Sequence, residues 1–478
     1  MRTAIALITA AFVAVPAAGA YKNPTPGRAL VLQIPGMHRA KVRRNIAYAR
    51  GLELDVYRPR SAKGRLPAVL LGGNSGFGKG SGQKIGWAQL ISASGMAAVA
   101  VETRSEHVLT TPQWPAHDFA AAIAYVRKHS AKLGVDPNRL CTLGFSSETA
   151  PWPLWATMRD PKPWLRCNVV YYGPLDFADP SLAEYSALTY LRRDGPRIPP
   201  MLVVKAGRDN NEGVNESIDR FAAAAGEVHA DVRLVTNTSA RQWFDIGPRT
   251  KSSRSIIRQT LRYLRARLAK PLAIRNRCAS AAERSSALRF FTSDDTQVAG
   301  VVLGTGTKGI VLAHGSGGDL CDWLPYAREL AAAGYRVLSY DSRTRTLVDR
   351  NMSAAVEAMR RTGAQRVAVA GSSLGALAAV TGAAALHVQP NAVISLSGPS
   401  SYGPLDGVAA AARLHVPVLF VAEEEDQPFA EDARTLYAAA TSAERRLEIF
   451  PGIDHGVDML REPAIRTLFE AFLFTHLK

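Results

Sequence analysis

Ser373 lies at the centre of a pentapeptide whose glycine spacing can place a nucleophile on a sharp turn. Residues 371–375 read Gly-Ser-Ser-Leu-Gly, which fits the pattern G-x-S-x-G. The apolar run 366–370 before it predicts a buried strand, and the alanine-rich run 376–380 after it favours a helix. Glycines on both sides let the strand and the helix approach closely. The pattern therefore predicts that Ser373 is lifted clear of a sheet as a nucleophile.

A serine nucleophile needs a general base within hydrogen-bonding reach and an acid that orients the base. An acidic turn follows the predicted strand 417–422, and a loop that contains His455 follows the predicted strand 446–450. We predict that Asp426 is the acid and His455 the base, with Glu425 as the alternative acid. The order serine, acid, histidine is that of α/β-hydrolases and differs from the chymotrypsin and subtilisin orders.

A glycine-rich turn after a short apolar strand can supply an oxyanion hole. The turn reads His-Gly-Ser-Gly-Gly over residues 314–318. We predict that the backbone N–H of Ser316 is the first donor, with Gly315 as the alternative, and that the N–H of Leu374 is the second. His314 is expected to support this turn rather than to act as a base.

Residues 298–478 resemble small α/β-hydrolases of the dienelactone-hydrolase-like and esterase-like kind, on the motifs described above. Dienelactone hydrolases proper use a cysteine nucleophile, whereas this elbow carries Ser373. The resemblance therefore implies a serine esterase that acts on a small-molecule ester. Because no Cys or His cluster has the spacing of metal ligands, neither a metal nor a cofactor is expected.

The first half of the chain repeats the same plan. Ser146 lies in Gly-Phe-Ser-Ser-Glu, Asp209 follows the predicted strand 201–206, and Gln242 stands at the position of the base. The candidate nucleophile precedes the acid by 63 residues here and by 53 downstream, and the acid precedes the base position by 33 and 29 residues. This agreement in register predicts an internal repeat.

Residues 46–268 resemble bacterial α/β-hydrolases with an Asp-x-Tyr-x-Pro lead-in, which residues 55–59 match. In such proteins the final strand is typically followed by His-x-Phe-Asp, where this chain has Gln242-Trp-Phe-Asp. Glutamine cannot take a proton from serine. Glu148 replaces the second glycine of the elbow, and we expect it to crowd the helix start and to add a carboxylate. The first half is therefore predicted to be catalytically degenerate; the alternative is a base from His107, His117 or His229.

The length of 478 residues suits two domains. We predict a signal peptide over residues 1–20, an N-terminal domain over 21–270, a linker over 271–287 and a C-terminal domain over 288–478. The first twenty residues have a positive start, an apolar stretch and small residues before the cleavage point. A retained anchor helix is the alternative. We expect a secreted or periplasmic protein that is not a membrane protein after cleavage, since no other apolar run reaches membrane-spanning length.

Four cysteines allow three pairings in an oxidising compartment. Cys141 and Cys167 lie in predicted core strands, where cysteines are usually small buried hydrophobes. Cys278 lies in the linker and Cys321 follows the oxyanion turn. We therefore predict a disulfide between Cys278 and Cys321 that pins the linker to the second half.

The formal net charge is +17. Four arginines follow the outer face of one predicted helix, opposite an apolar face at helical spacing: Arg254, Arg258, Arg262 and Arg265. We interpret them as a solvated face, with adhesion to an acidic envelope polymer or attraction of anionic substrates as the alternative. No nucleic-acid-binding motif accompanies the charge.

These patterns predict a fold of two tandem α/β-hydrolase domains, each a mostly parallel sheet flanked by helices. Only 52 residues lie between Ser373 and Asp426, which leaves no room for a cap domain. The expected function is an exported serine hydrolase that cleaves a carboxylic ester through an acyl-enzyme in the C-terminal domain. The alternatives are a thioester or amide substrate, activity in both domains, or a non-catalytic envelope-binding protein. The oligomeric state stays open.

Overall fold

The computed structural model describes residues 30–72, 79–104, 111–342 and 347–478, with only the backbone at Glu148. It contains two eight-stranded sheets and a two-stranded hairpin. The strands are β1 (Lys41–Ala49), β2 (Leu52–Arg58), β3 (Leu66–Leu71), β4 (Ala97–Val101), β5 (Val135–Phe145), β6 (Leu165–Tyr171), β7 (Met201–Ala206), β8 (Val232–Asn237), β9 (Leu288–Phe291), β10 (Gln297–Leu303), β11 (Lys308–Ala313), β12 (Arg336–Asp341), β13 (Arg366–Ser372), β14 (Ala392–Leu396), β15 (Ser401–Tyr402), β16 (Leu405–Asp406), β17 (Val418–Glu423) and β18 (Arg445–Phe450).

Helices connect the strands and pack on the sheets. They are α1 (Gly82–Ala93), α2 (Gln113–Lys128), α3 (Ser130–Leu133), α4 (Ser146–Thr149), α5 (Pro151–Met158), α6 (Ala187–Asp194), α7 (Val214–Glu227), α8 (Lys251–Leu268), α9 (Ala281–Ser285), α10 (Leu324–Ala332), α11 (Val348–Arg361), α12 (Leu374–Ala384), α13 (Gly407–Ala411), α14 (Phe429–Ala439) and α15 (Pro463–His476). Within the described ranges, no helix is long and apolar enough to cross a membrane.

The two large sheets have the same strand order. The first runs β1-β2-β4-β3-β5-β6-β7-β8 and the second runs β9-β10-β12-β11-β13-β14-β17-β18. In each sheet the second strand is antiparallel to both of its neighbours, and the remaining pairs are parallel. We call β1–β8 with their helices the N-terminal lobe, and β9–β18 with theirs the C-terminal lobe. The shared order confirms the predicted tandem α/β fold.

Short, continuous apolar runs form the central strands because both faces of a parallel sheet are covered. Every residue of β4 and of β14 is buried. Among the described residues, each lobe accordingly has two large hydrophobic core clusters. A smaller fifth cluster packs Ile274 of the predicted linker with Val301 of β10 and Leu324 of α10. The strand predicted at 201–206 has those bounds in the structure, and the strands predicted at 366–370, 417–422 and 446–450 are β13, β17 and β18, with ends that differ by one or two residues.

Contacts between the lobes lie near the edge strands β8 and β9. Arg233 of β8 donates hydrogen bonds to the Asp295 carboxylate at 2.8 Å and to the carbonyl oxygen of Thr292. The Arg267 guanidinium lies 4.1 Å from the ring centroid of Phe291. In the C-terminal sheet, β9 and β18 are opposite edges, separated by roughly 33 Å at the usual strand spacing. These interlobe contacts are therefore far from the loop that follows β18.

Two disulfides join the four cysteines. Cys278 and Cys321 are bonded with a Cα–Cα distance of 5.8 Å, which confirms the predicted bridge. Cys141 and Cys167 are also bonded, with a Cα–Cα distance of 4.7 Å, so the interpretation of these two as unpaired small hydrophobes was wrong. They lie directly opposite each other on the parallel neighbours β5 and β6, and this distance is within the range that a disulfide spans.

Candidate active site

Ser373 occupies the turn between β13 and α12, with φ 55° and ψ −123°. A positive φ is strained for serine and persists only where the surrounding packing imposes it. A Cβ atom on Gly371 would overlap the carbonyl oxygen of Gly375, and one on Gly375 would overlap that of Ala313. The two glycines of the motif thus permit the close approach that creates the turn.

Asp426 and His455 are brought together by the turns that follow β17 and β18. His455 Nδ1 lies 3.0 Å and 2.9 Å from the two carboxylate oxygens of Asp426. Because a carboxylate only accepts, Nδ1 carries the proton and Nε2 is available as a base. The Asp426 side chain is 8% exposed and that of His455 is 39% exposed. Glu425, the alternative acid, points to solvent.

Among the described residues, His455 is hydrogen-bonded to Asp426 but not to Ser373. Across the described residues, no hydrogen bond links the Ser373 hydroxyl to His455. Such a contact often tightens only when a substrate binds. The Phe429 ring packs against the imidazole at a centroid distance of 4.4 Å and limits its movement on one side.

Two contacts that sequence reasoning missed hold the loop around His455. The Glu423 carboxylate accepts a hydrogen bond from the backbone N–H of Asp454 at 2.6 Å. The hydroxyl of the fully buried Ser397 accepts one from the N–H of Gly456 at 2.9 Å. The available signal for Glu423 was an acidic residue at the very end of an apolar strand, but we had interpreted 423–426 only as a turn that carries the acid.

The glycine-rich turn after β11 lies against Ser373. A Cβ atom on Gly315 would be 3.1 Å from the Cβ of Ser373. His314 Nε2 accepts a hydrogen bond from the N–H of Ser342 at 2.9 Å, and its Nδ1 donates to the carbonyl oxygen of Gly315 at 2.8 Å. Both ring nitrogens of His314 are thus engaged in holding the turn.

The proposed oxyanion donors are the N–H groups of Ser316 and Leu374. Ser316 is exposed in the turn beside Gly315. Leu374 is the first residue of α12, so its N–H has no partner within the helix. A backbone N–H at this position can point toward an oxyanion formed at Ser373.

The N-terminal lobe keeps the elbow but has a different set of contacts around it. Ser146 has φ 58° and is buried. Gln242 Nε2 donates to Ser146 Oγ at 3.0 Å and to the carbonyl oxygen of Tyr172 at 3.3 Å. One carboxylate oxygen of Asp209 accepts from the N–H of Asn211, while the other is buried and has no hydrogen-bond partner among the described residues. Burial raises the pKa of Asp209 above its ordinary value.

The loop that carries Gln242 is anchored by a buried carboxylate. Asp245 is fully buried and accepts hydrogen bonds from Gln83 and Trp87, both at 2.8 Å, and from Tyr172 at 2.6 Å. Three donors satisfy the carboxylate, as a buried charge requires. Because Asp245 holds this loop in place, the side chain of Gln242 lies beside Ser146, at the position predicted for a histidine base.

The elbow helix of the N-terminal lobe is divided into α4 and α5, whereas α12 is continuous. A Cβ atom on Gly72 would lie 2.7 Å from the carbonyl oxygen of Thr149. In the N-terminal lobe, Gly72 at the end of β3 therefore lets the strand and the elbow helix approach closely. In the C-terminal lobe, Gly375 on the helix has this role. The carboxylate expected from Glu148 lies outside the described residues.

None of the alternative histidines with described positions takes the place of the base. His117 lies on α2, with its ring 4.9 Å from that of Trp155. His229 Nδ1 is 3.3 Å from the Glu357 carboxylate of the other lobe. His107 and the predicted signal peptide lie outside the described residues.

One group of potential metal ligands occurs within the described ranges: Cys278, Asp319 and Cys321. The two sulfur atoms are joined as a disulfide, so neither is available as a thiolate ligand.

Two family models match the chain, one in each half. Residues 54–151 match BD-FAE, and residues 308–463 match the dienelactone hydrolase family. No protein with a curated function matches. Both matches and the repeated strand order show two tandem domains with the α/β-hydrolase fold.

Several solved esterase structures are similar to about half of the chain. Carboxyl esterase 2 from the mycorrhizal fungus Tuber melanosporum is 15% identical over 48% of this chain and 87% of its own, with a TM-score of 0.41. Esterase 2 of Thermogutta terrifontis, bound to propionate, is 21% identical over 48% and 92%, with a TM-score of 0.38. An esterase from Pseudomonas putida is 19% identical over 48% and 83%, with a TM-score of 0.40.

Proposed function

We propose that the chain is an exported serine hydrolase that cleaves a carboxylic ester in its C-terminal lobe. The observation that carries the proposal is the two-oxygen contact of Asp426 with His455 Nδ1 beside the strained Ser373 turn. The corresponding position of the N-terminal lobe holds Gln242, which lacks a basic nitrogen.

In the proposed reaction, His455 Nε2 takes the proton of Ser373 as the hydroxyl oxygen attacks the ester carbonyl carbon. The N–H groups of Ser316, or of Gly315 in its place, and of Leu374 stabilise the oxyanion. His455 then donates the proton to the departing alcohol, which leaves an acyl-enzyme on Ser373. Water activated by the same histidine hydrolyses the acyl-enzyme, while Asp426 keeps the imidazole oriented throughout.

Fluorophosphonate labelling with peptide mass mapping tests this assignment. We expect an adduct on Ser373 and none on Ser146. An adduct on Ser146 alone would assign catalysis to the N-terminal lobe, and adducts on both would support two active lobes. An unlabelled chain without esterase activity would favour the non-catalytic envelope-binding alternative. Parallel assays with matched ester, thioester and anilide substrates test the reaction class, and we expect the ester to react fastest.

Export is proposed from the signal-like first twenty residues and is supported by the two disulfides, which form and persist in oxidising compartments. Expression of the full chain in a bacterial host followed by N-terminal sequencing of the recovered protein tests this. We expect a start at Tyr21. A mature protein that still begins at Met1 in the cytoplasmic fraction would contradict export.

The basic face of α8 supports an acidic envelope polymer as a partner. Residues 246–282 contain ten Lys or Arg residues and no Asp or Glu. Arg258 and Arg262 are exposed, and within the described part of the chain neither donates a hydrogen bond. Like charges four residues apart destabilise a helix by about 0.2–0.5 kcal/mol per pair. This row of arginines on α8 therefore does not serve the stability of the helix.

Retention on an immobilised acidic polysaccharide tests this partner. Arg258→Gln with Arg262→Gln should elute at lower salt than wild type, because fewer counterions are released. Arg413→Gln with Arg446→Gln, two exposed arginines of the other lobe, is the control with the same charge loss. Equal elution of the two double variants would contradict a specific role for α8.

A further inference from the structure

Glu423 is a buried carboxylic acid at the end of β17, three residues before Asp426. Its side chain is 5% exposed, although it belongs to a run of four acidic residues. Buried carboxylates are uncommon unless a partner compensates their desolvation. Its position, directly beneath the loop that carries His455, gives the residue a contact with the catalytic machinery that its exposed neighbours lack.

The Glu423 side chain fills the space under this loop. Oε2 accepts the hydrogen bond from the N–H of Asp454, the residue that precedes His455. Gly452 has φ 135°, and a Cβ atom there would overlap Oε2. The loop therefore closes over the carboxylate and is tied to it one residue away from the imidazole.

The backbone around Glu423 also sets the position of the acid. Its carbonyl oxygen accepts a hydrogen bond from the N–H of Asp426 at 3.1 Å. The N–H of Glu425 donates to the carbonyl oxygen of Gly452 at 3.0 Å, which links the two turns directly. One residue thus connects the turn that holds Asp426 with the loop that holds His455.

The N-terminal lobe provides an internal comparison. Its strand β7 ends at Ala206, three residues before Asp209, just as β17 ends three residues before Asp426. The lobe that has lost the histidine therefore has alanine where the other lobe has Glu423. Both lobes have the same sheet, but only the lobe with the acid–base pair has this carboxylate. The presence of Glu423 is therefore related to the acid–base pair rather than to the fold.

Several charged groups surround Glu423. Burial raises its pKa, and the carboxylates of Asp454, Asp426 and Glu462 act in the same direction. Arg461 borders the shallow cavity beside it. The folded protein holds the proton of an acid with a raised pKa more tightly than the unfolded chain does. Ionisation of such an acid as pH rises therefore lowers the stability of the folded state. A neutral side chain at position 423 would hold the loop without this loss of stability.

We propose that Glu423 is a positioning residue that holds His455 against Asp426 through the N–H of Asp454. The kinetic part of this inference rests on the proposed function. The structural part does not, because the hydrogen bond between His455 and Asp426 can be observed without turnover.

Glu423→Gln, Glu423→Ala and the control Glu424→Gln test this role in the full mature chain. The amide oxygen of glutamine still accepts from Asp454, whereas alanine, the residue of the other lobe, does not. Glu424 is exposed and pairs with Arg434, so Glu424→Gln removes the same charge one residue away. The measurements are kcat and KM for p-nitrophenyl acetate, thermal unfolding, and the downfield proton resonance of His455 Nδ1–H.

We expect Glu423→Ala to lower kcat by about 10–10²-fold with little change in KM, because a small displacement of the base affects the chemical step. Glu423→Gln should recover most of kcat, with no loss of thermal stability at pH 8. Glu424→Gln should match wild type in all of these measurements.

The Nδ1–H resonance decides the structural part independently of activity. It should weaken or vanish in Glu423→Ala and remain in Glu423→Gln. If wild type shows the resonance but no turnover, and the variants behave in this way, the positioning role is supported while the proposed function fails. An unchanged resonance in Glu423→Ala would overturn the inference, and so would a kcat of Glu423→Ala equal to that of an active wild type.

Discussion

The two elbow serines should separate catalysis from stability. Ser373→Ala removes the proposed nucleophile, and loss of a triad nucleophile lowers kcat by roughly 10⁴-fold or more. That factor corresponds to about 5.4 kcal/mol of lost transition-state stabilisation. Stability should change by less than about 0.5 kcal/mol, because among the described residues the hydroxyl has no hydrogen bond to lose and alanine adopts the same positive φ with similar strain.

Ser146→Ala should have the opposite effect. The buried hydroxyl accepts a hydrogen bond from Gln242, whose side chain also donates to the Tyr172 carbonyl. Its removal should cost about 1 kcal/mol of stability, which lowers the melting temperature by roughly 2–4 °C for a lobe of this size. Turnover should stay near wild type, since Gln242 cannot act as a base.

Hydrolysis of p-nitrophenyl acetate and thermal unfolding of the purified variants measure both effects. His455→Asn is the matched catalytic control, because it removes the base in the C-terminal lobe and leaves the N-terminal lobe unaltered. Abolished turnover in Ser146→Ala together with a silent Ser373→Ala would show that the active lobe had been assigned incorrectly.

The uncapped C-terminal site should hydrolyse short acyl esters fastest, because each CH₂ of a longer chain that stays in water forgoes about 0.8 kcal/mol of binding. The rates should be the same with and without EDTA. Rates for p-nitrophenyl esters that peak at laurate or longer, or that vanish with the chelator, would contradict this. In a Ser373→Ala chain, Gln242→His should raise turnover by roughly 10²-fold. A positioned base contributes about 10²–10⁴-fold, and the Asp209 oxygen that lacks a partner within the described ranges can orient it. A gain that survives Ser146→Ala would refute that reasoning. The hydrogen bond from Arg328 lowers the pKa of Glu283 to about 2, so this pair should stabilise the fold above the ordinary pKa of glutamate and lose its effect as pH falls toward 2. Glu283→Gln should therefore lower the melting temperature at pH 7 but not near pH 2, and equal midpoints at pH 7 would count against it.

Local patterns predicted the fold well because each lobe is built from buried parallel strands. Such strands are continuous apolar runs, and the turns at their carboxyl ends are where polar residues gather. The run 201–206 became β7 with the same bounds, and the contact of Asp426 with His455 followed from their place after the neighbouring strands β17 and β18. The choice of Asp426 over Glu425 needed the structure, because the direction of each side chain depends on the turn itself.

The Cys141–Cys167 bond could not be predicted from composition, because it depends on register between parallel strands. Cys141 is opposite Cys167 only because β5 and β6 pair in this alignment, and a shift by one residue would separate the two sulfur atoms. The contact between Glu423 and Asp454 has the same character. It joins two turns that are 31 residues apart in sequence, and no local pattern indicates it.

The strained serine turn is not by itself evidence of catalysis in this chain. Ser146 keeps φ 58°, close to the 55° of Ser373, although its lobe has Gln242 in place of a base. The strain is therefore maintained by packing between strand and helix, which Gly72 permits in one lobe and Gly375 in the other. What distinguishes the lobes is the loop after the last strand. In the C-terminal lobe that loop places the imidazole of His455 within hydrogen-bonding distance of the Asp426 carboxylate. In the N-terminal lobe it places the amide of Gln242 beside Ser146, and one oxygen of the Asp209 carboxylate is buried with no partner in the part of the chain that the structure describes. Assignment of activity to a lobe should thus rest on this acid–base contact.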